Sequence, residues 1–276
     1  MPITSDYSDG VPVIAYCLAG MDGTVLAERH ADLRFYAAST IKLAVLVTVV
    51  RAVEQGRLSL DQTLAATHTF PGGTGGEFSF DPAEFDDGMP AAGTPMPLRE
   101  VLWRMIAVSS NEATNMAVGL VGFAEINAVL RSCGARSSSM ERLIGDLGAL
   151  AAGLTHEVTA RDLVALMRVI TSGSAAGAGL TDLMLGYLRA QEFPLIGSEL
   201  DAAGRNASWG SKSGWVTGIT HDVAFIVPPG ADLSTGYLLA VCTRGYDGPD
   251  GREAIGAVTG LAWDLILAGR RPAAGT

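Results

Sequence analysis

Hydrophobic and polar positions divide this chain into a strand-rich start, a helical middle and a strand-rich end. The Val-, Ile- and Tyr-rich run from Val11 to Ala19 predicts a strand. Gly20-Met21-Asp22-Gly23-Thr24 predicts a turn and Val25 to Glu28 a second strand, so the chain opens on a hairpin. Leu33 to Ala38 leads into a helix that opens at Ser39 and stops at Gly56. Its stretch Leu43-Ala44-Val45-Leu46-Val47-Thr48-Val49-Val50 is apolar on every side, the pattern of a helix enclosed in a core.

A new segment begins at Leu58-Ser59-Leu60-Asp61, and helical periodicity returns over 98–108, with Leu98, Val101, Leu102, Met105 and Ile106 on one face. The pattern breaks at Ser109-Ser110-Asn111. Further helices are predicted from Glu112 to about Val121, from Phe123 to Cys133, from an N-cap at Thr159, and over 180–191. Two stretches lack a period. One, 69–97, carries Phe78, Phe80 and Phe85 among acidic residues; it is either a lid whose aromatics rim a site or a solvated surface insertion. The other is 136–156.

Strand character resumes at Ser208 to Ser213, Asp222 to Val227 and Tyr237 to Thr243. A closing helix spans 251–268, with Ile255, Val258, Leu261, Leu265 and Ile266 on its apolar face. Strands at both ends can share one sheet. The expected class is α/β plus all-α, with an α/β lobe from 1–58 and 203–276 and an all-helical lobe from 59–202.

Of the 276 residues, 48% are hydrophobic and 17% charged, so a sizeable packed core is expected and disorder is not. The formal net charge of −10 argues against nucleic acid or an anionic membrane surface as partner. Cys17, Cys133 and Cys242 are sparse and odd in number, which suggests reduced core thiols. The first ten residues show no basic region followed by an apolar run, so a cytoplasmic protein without a signal peptide is expected. The apolar run after Lys42 is too short for a membrane span. His30, His68, His156 and His221 have no metal-ligand spacing, and neither metal nor other cofactor is expected.

The chemistry concentrates at Ser39 and Lys42, which lie one helical turn apart on the same face. Lys42 enters the dry end of an apolar helix, where desolvation favours the neutral, basic amine. Ser39 sits at a helix start, where free N–H groups favour negative charge. Nucleophile, base and anion-stabilising backbone then coincide. Taken alone, the pair also fits an N-cap serine beside a snorkelling lysine. Two further motifs follow: Ser109-Ser110-Asn111 between helices, and Lys212-Ser213-Gly214 at a strand.

Ser39-x-x-Lys42, Ser109-Ser110-Asn111 and Lys212-Ser213-Gly214, in this order, resemble the S-x-x-K, S-D-N and K-T-G set of class A β-lactamases and penicillin-binding proteins. Asn115 matches the second asparagine of the longer S-D-N-x-x-x-N run. The resemblance covers nearly the whole chain. It implies a β-lactamase/transpeptidase-like fold, with a serine acyl-enzyme formed in a groove between the two lobes. It casts Ser39 as nucleophile, Lys42 as the group that helps deprotonate it, and Ser109 as proton shuttle assisted by Lys212. Asn111 would hold a substrate amide and position Lys42. Lys212 and Ser213 would bind a carboxylate or other anion of a small acyl substrate. The oxyanion hole would comprise the N–H groups of Ser39 and of Trp215, after Gly214.

Departures from the family pattern bear on the substrate. Ser110 replaces the aspartate, and Trp215 replaces a small residue beside the oxyanion hole, which suggests a narrowed cleft. Class A enzymes carry a deacylating glutamate two residues after an omega-loop arginine. With that arginine at Arg142, the position falls on Ile144, and Glu141 and Asp146 are the nearest carboxylates. The resemblance therefore implies a serine hydrolase acting on a β-lactam, amide or ester. The alternatives are a cytoplasmic esterase, amidase or transacylase of a biosynthetic pathway, an acyl-trapping sensor without turnover, and a DD-peptidase.

Overall fold

The computed structural model describes residues 10–246 and 248–270; residues 1–9, where the absence of a leader was read, lie outside them. Both ends of the chain enter one five-stranded antiparallel sheet, in the order β10-β11-β12-β1-β2. The opening hairpin supplies β1 (Val13–Gly20) and β2 (Val25–Arg29). After β3 (Phe35–Tyr36), a 3₁₀ turn over Ala38–Ile41 runs directly into α1 (Lys42–Glu54).

The middle of the chain carries β4 (Thr63–Ala65), β5 (Thr69–Pro71), β6 (Glu77–Ser79) and β7 (Pro95–Pro97). It continues through α2 (Leu98–Ile106), α3 (Asn111–Ser132), β8 (Ser139–Met140), α4 (Leu147–Ala151) and β9 (His156–Val158). It ends with α5 (Ala160–Thr171), α6 (Ala178–Arg189) and α7 (Ile196–Ala202). The chain then returns to the sheet with β10 (Ser208–Val216), β11 (Ile219–Val227) and β12 (Tyr237–Arg244), and closes on α8 (Gly248–Arg270).

Side-chain alternation explains how the sheet is covered. Every residue of β11 is buried. Its Ala224 and Ile226 join Leu239 and Val241 of β12 against α7 and α8, whereas Val223, Phe225 and Val227 enter the main core shared with α1 and α5. On α8 the buried stripe is Ile255, Val258, Ala262 and Ile266. Leu261 and Leu265, expected on that face, are 67% and 51% exposed, because the stripe advances through 262 and 266 and leaves 261 and 265 rotated about 100° away.

Helix α1 is buried from Lys42 through Val50. Charge at its start is therefore held inside the protein, with α2, α3, α5 and α6 packed around the helix. The predicted break between two helices after Glu112 is present as Gly122, whose φ of 75° and ψ of 162° interrupt α3.

The 69–97 stretch is largely exposed at the surface, as a solvated insertion would be, but it is anchored by short strands and buried aromatics. Strands β5 and β6 pair as a hairpin, and β7 pairs with β4. Phe70, Phe78 and Phe80 form a cluster with ring centroids 6.0–6.1 Å apart. Phe70 and Phe80 are buried. Phe80 lies against Gly145, where an added Cβ would come within 2.4 Å of the ring. The Gly73 N–H donates to Asp146 Oδ2 at 2.7 Å. The hairpin thus braces the 141–150 segment, and burial of its aromatics drives that packing.

Candidate active site

Ser39 stands in the 3₁₀ turn between β3 and α1 and is half-buried. It does not cap the helix: neither helical start shows a side-chain cap bond. The preceding residue, Ala38, has φ +46°, a left-handed conformation that non-glycine residues seldom adopt. Thr40 secures the turn, its N–H and its hydroxyl donating to Ala37 O at 3.2 and 2.6 Å. Strand β10 presses on the same turn. A Cβ on Gly214 would lie 2.5 Å from Ser39 N and 2.9 Å from Thr40 N, so only glycine permits this approach.

Lys42 is fully buried as the first residue of α1. Its Nζ donates to Ser109 O at 2.6 Å, Ser109 Oγ at 3.2 Å and Asn111 Oδ1 at 2.8 Å. Lys212 is also fully buried, on β10; its Nζ donates to Ser109 Oγ at 3.0 Å and Ser213 O at 2.9 Å. One hydroxyl therefore bridges two buried lysines. Ser109 reaches this position from the α2–α3 connection with φ +61°, a strained geometry of the kind that collects at functional sites.

Both amines are shifted toward neutrality. Burial pushes Lys42 well below the ordinary lysine range; Lys212 pushes it further down, and the Glu112 and Asp86 carboxylates oppose the shift. Burial brings Lys212 down to about 7, against the attraction of Asp222. Asp222 is itself buried and pushed up to about 6 by desolvation; it is partly relieved by the Ile196 and Leu195 N–H groups, which donate to Oδ2 at 2.8 and 2.9 Å.

The cap of α3 is Ser110, whose Oγ accepts the Ala113 N–H and donates to Glu112 Oε2 at 3.3 Å. A serine thus performs the capping, and the negative charge near the motif comes from Glu112. That carboxylate is fully buried. It also accepts the Asp86 N–H at 3.2 Å and lies 3.4 Å from His68 Nδ1. These bonds dock the segment after the hairpin onto the site helix.

The structure brings Ser39, Lys42, Ser109, Asn111, Lys212, Ser213 and Gly214 together. Ser213 is buried, and its Oγ has no hydrogen-bond partner among the described residues. Trp215 is 50% exposed. It packs edge-on against Phe193, with centroids 5.4 Å apart, and walls a cavity; the narrowed cleft expected from its bulk is thus a lined one.

Glu141 and Asp146 are engaged elsewhere. Glu141 is exposed and accepts the Thr155 N–H. Asp146 spends both oxygens on structure, Oδ1 capping α4 at Ala149 N and Oδ2 tying Gly73. Ile144 occupies the omega-loop position itself, held by Asn115. The proposal of either carboxylate as deacylating group therefore has no geometric support. His221 is structural: it is buried, with Nε2 on Tyr36 O and Nδ1 meeting Thr243 N–H. Among the described residues no cluster of three His, Cys, Asp or Glu side chains could hold a metal.

Sequence reasoning passed over Glu112 and Asp222. The available signal was an acidic residue inside an apolar run: Glu112 in the first turn of an apolar helix, and Asp222 in Ile219-Thr220-His221-Asp222-Val223-Ala224-Phe225. A carboxylate there needs partners to be tolerated.

The model of a family described as "Beta-lactamase enzyme family" matches residues 6–266. Among solved structures, a beta-lactamase from Sphaerobacter thermophilus DSM 20745 is 27% identical, with 95% of this chain and 93% of that one covered and a TM-score of 0.77. PBP-A is 24% identical, with 93% and 91% covered and a TM-score of 0.77. A beta lactamase from Xanthomonas campestris pv. campestris str. ATCC 33913 is 21% identical, with 94% and 93% covered and a TM-score of 0.75. The latter two likenesses concern the fold alone. No curated protein matches the sequence.

Proposed function

Because the chain belongs to the beta-lactamase enzyme family and is a serine hydrolase of that fold, we propose that it transfers the acyl group of a lactam, amide or ester to Ser39 and then to water. Lys42, neutral in its buried setting, takes the Ser39 hydroxyl proton as Oγ attacks the carbonyl carbon. As an amine it keeps two N–H donors, for Ser109 O and Asn111 Oδ1, and gives up its longest contact, the donation to Ser109 Oγ at 3.2 Å, so that its lone pair can accept. The N–H groups of Ser39 and Trp215 receive the developing oxyanion. The Ser109 hydroxyl passes a proton to the leaving nitrogen or oxygen as its bond to carbon breaks, and Lys212 replenishes that proton. Water then attacks the ester carbonyl and releases the acid and free Ser39.

One observation carries this reading: Ser109 Oγ lies 3.2 Å from Lys42 Nζ and 3.0 Å from Lys212 Nζ, both fully buried. It forms a proton path from the base side to the leaving-group side. The substrate fits best as a small acyl compound with an anionic group near Lys212 and Ser213.

A second reading draws on Ile144. With no carboxylate at that position and with Asp146 and Glu141 engaged, a β-lactam acyl group persists on Ser39 while other acyl groups turn over. In the limit the protein traps acyl groups and acts as a sensor.

Intact-protein mass spectrometry with a chromogenic cephalosporin and, separately, a p-nitrophenyl ester separates these cases. Acylation of the native protein, with none in Ser39→Ala, is expected. Transient mass gain with colour means turnover, and a lasting adduct means trapping. Full labelling of Ser39→Ala, or none of the native protein, overturns the proposal.

A further inference from the structure

Glu112 and His68 meet behind the Ser109-Ser110-Asn111 turn, outside the proton path itself. Glu112 stands in the first turn of α3, next to Asn111, and its carboxylate is fully buried. Oε1 accepts the Asp86 N–H at 3.2 Å and lies 3.4 Å from His68 Nδ1, and Oε2 accepts the Ser110 hydroxyl at 3.3 Å. An ionised carboxylate only accepts, so the Nδ1 that faces it is a donor. The His68 side chain is 22% exposed and stacks on Phe85, with centroids 4.2 Å apart. The imidazole thus links a buried charge to solvent.

We propose that Glu112 is a positioning residue for acylation: it is the buried counter-charge that keeps Lys42 basic enough to take the Ser39 proton, and His68 moderates that charge from the solvent side. The proposal rests on the reading of Lys42 as the base for Ser39.

Lys42 needs a counter-charge. It is fully buried, and a second buried amine, Lys212, bonds the same Ser109 hydroxyl. Burial and that neighbour both drive Lys42 down, and an amine driven too far is a weak base. Ile144 supplies no carboxylate from the 141–150 segment; the charges that favour the ammonium form of Lys42 are those of Glu112 and Asp86. Asp86 is already compensated, with Arg104 Nη1 3.2 Å from both of its oxygens. Glu112 has no lysine or arginine partner among the described residues, so more of its field crosses the low-dielectric interior. The turn that carries this charge also holds the amine, since Ser109 O and Asn111 Oδ1 accept from Lys42 Nζ at 2.6 and 2.8 Å. His68 adjusts the result, because a donor on Oε1 lessens the negative field that reaches Lys42.

Lys42 and Lys212 are the only lysines in the sequence, so isotopic labelling of lysine Cε gives two NMR signals whose titration reads each amine directly; Lys212→Arg assigns them. The titration involves no acylation, so its failure is distinct from failure of the acyl-enzyme reading, which Ser39 labelling of the native protein reports. Glu112→Gln keeps the size of the side chain and removes its charge. The Lys42 midpoint is expected to move to lower pH by at least about 0.5 pH unit, and the plateau rate of Ser39 acylation by a p-nitrophenyl ester to fall at least about threefold. His68→Ala is expected to move the midpoint to higher pH by at least about 0.3 pH unit, and to leave it in place in the Glu112→Gln background. A midpoint unmoved by Glu112→Gln overturns the proposal. So does a His68→Ala effect that survives in that background, as a merely structural role would. His68 is partly exposed, so its replacement leaves the core intact, and a midpoint unmoved or lowered by His68→Ala alone overturns the proposal as well.

Discussion

Asn115 holds Ile144 by both of its main-chain groups: its amide nitrogen donates to Ile144 O at 2.9 Å, and its amide oxygen accepts the Ile144 N–H at 2.9 Å. The backbone at 144 is thereby fixed to the site helix α3, whatever side chain stands there. Position and chemistry are separable at this point of the 141–150 segment.

Ile144→Glu is therefore expected to supply the missing carboxylate on an already placed backbone. Turnover of a chromogenic cephalosporin should rise by at least about tenfold, within the range a positioned general base contributes. The rate of Ser39 labelling should change little. Stopped-flow absorbance with quenched mass spectrometry separates the two steps, and unchanged deacylation would assign the water-activating role elsewhere.

Acylation should fall as pH rises through about 7. The base form of Lys42 is its neutral amine, present above a pKa that burial has driven well below the usual value. The proton-supplying form of Lys212 is its ammonium, lost above its value of about 7. Asp222 holds the Lys212 value up, so Asp222→Asn should move this alkaline limb to lower pH. The pH profile of the acylation rate checks it; an unmoved limb would remove Lys212 from the proton path.

Gly214→Ala introduces a Cβ 2.5 Å from Ser39 N. The obstructing atoms are backbone, so the nucleophile turn and β10 must separate. The rate of Ser39 acylation should fall by about 100-fold or more, the effect of displacing a reacting group by about 1 Å. Burst kinetics with the p-nitrophenyl ester provide the test.

Asp146→Ala removes the α4 cap and leaves the Gly73 N–H without its acceptor. Losing a cap costs about 1 kcal/mol, and leaving a donor unsatisfied about 1–3 kcal/mol. A decrease in Tm of roughly 5–10 °C is expected for a chain of this size. Release of the acyl group from Ser39 should stay within about threefold of native, because both Asp146 oxygens point into structure; the general-base contribution is about 10²–10⁴-fold, so a loss of deacylation on that scale, read by quenched mass spectrometry, would restore Asp146 to the chemistry.

Local pattern alone determined a good deal of this protein. The opening hairpin, the all-apolar α1, the Thr159 cap of α5 and the strands of the closing sheet each depend on spacing within about a dozen residues, which a linear reading captures. The three motifs were legible for the same reason, since each is a short run at the start or end of an element. What the linear order could not supply was which polar group meets which across long separations. Lys42 and Lys212 converge on one hydroxyl because α1 is enclosed by α2 and α3 and because β10 presses on the Ser39 turn. The hairpin within 69–97 was hidden because its strands are three residues long and its stabilisation comes from Phe80 and Asp146 meeting the 141–150 segment, not from its own period. Asp146 itself resembled a reactive carboxylate until its oxygens were placed on Gly73 and Ala149. Periodicity encodes which face of an element is buried; the pairing of buried charges is decided only when the elements pack, because desolvation makes each charge depend on neighbours supplied by distant parts of the chain.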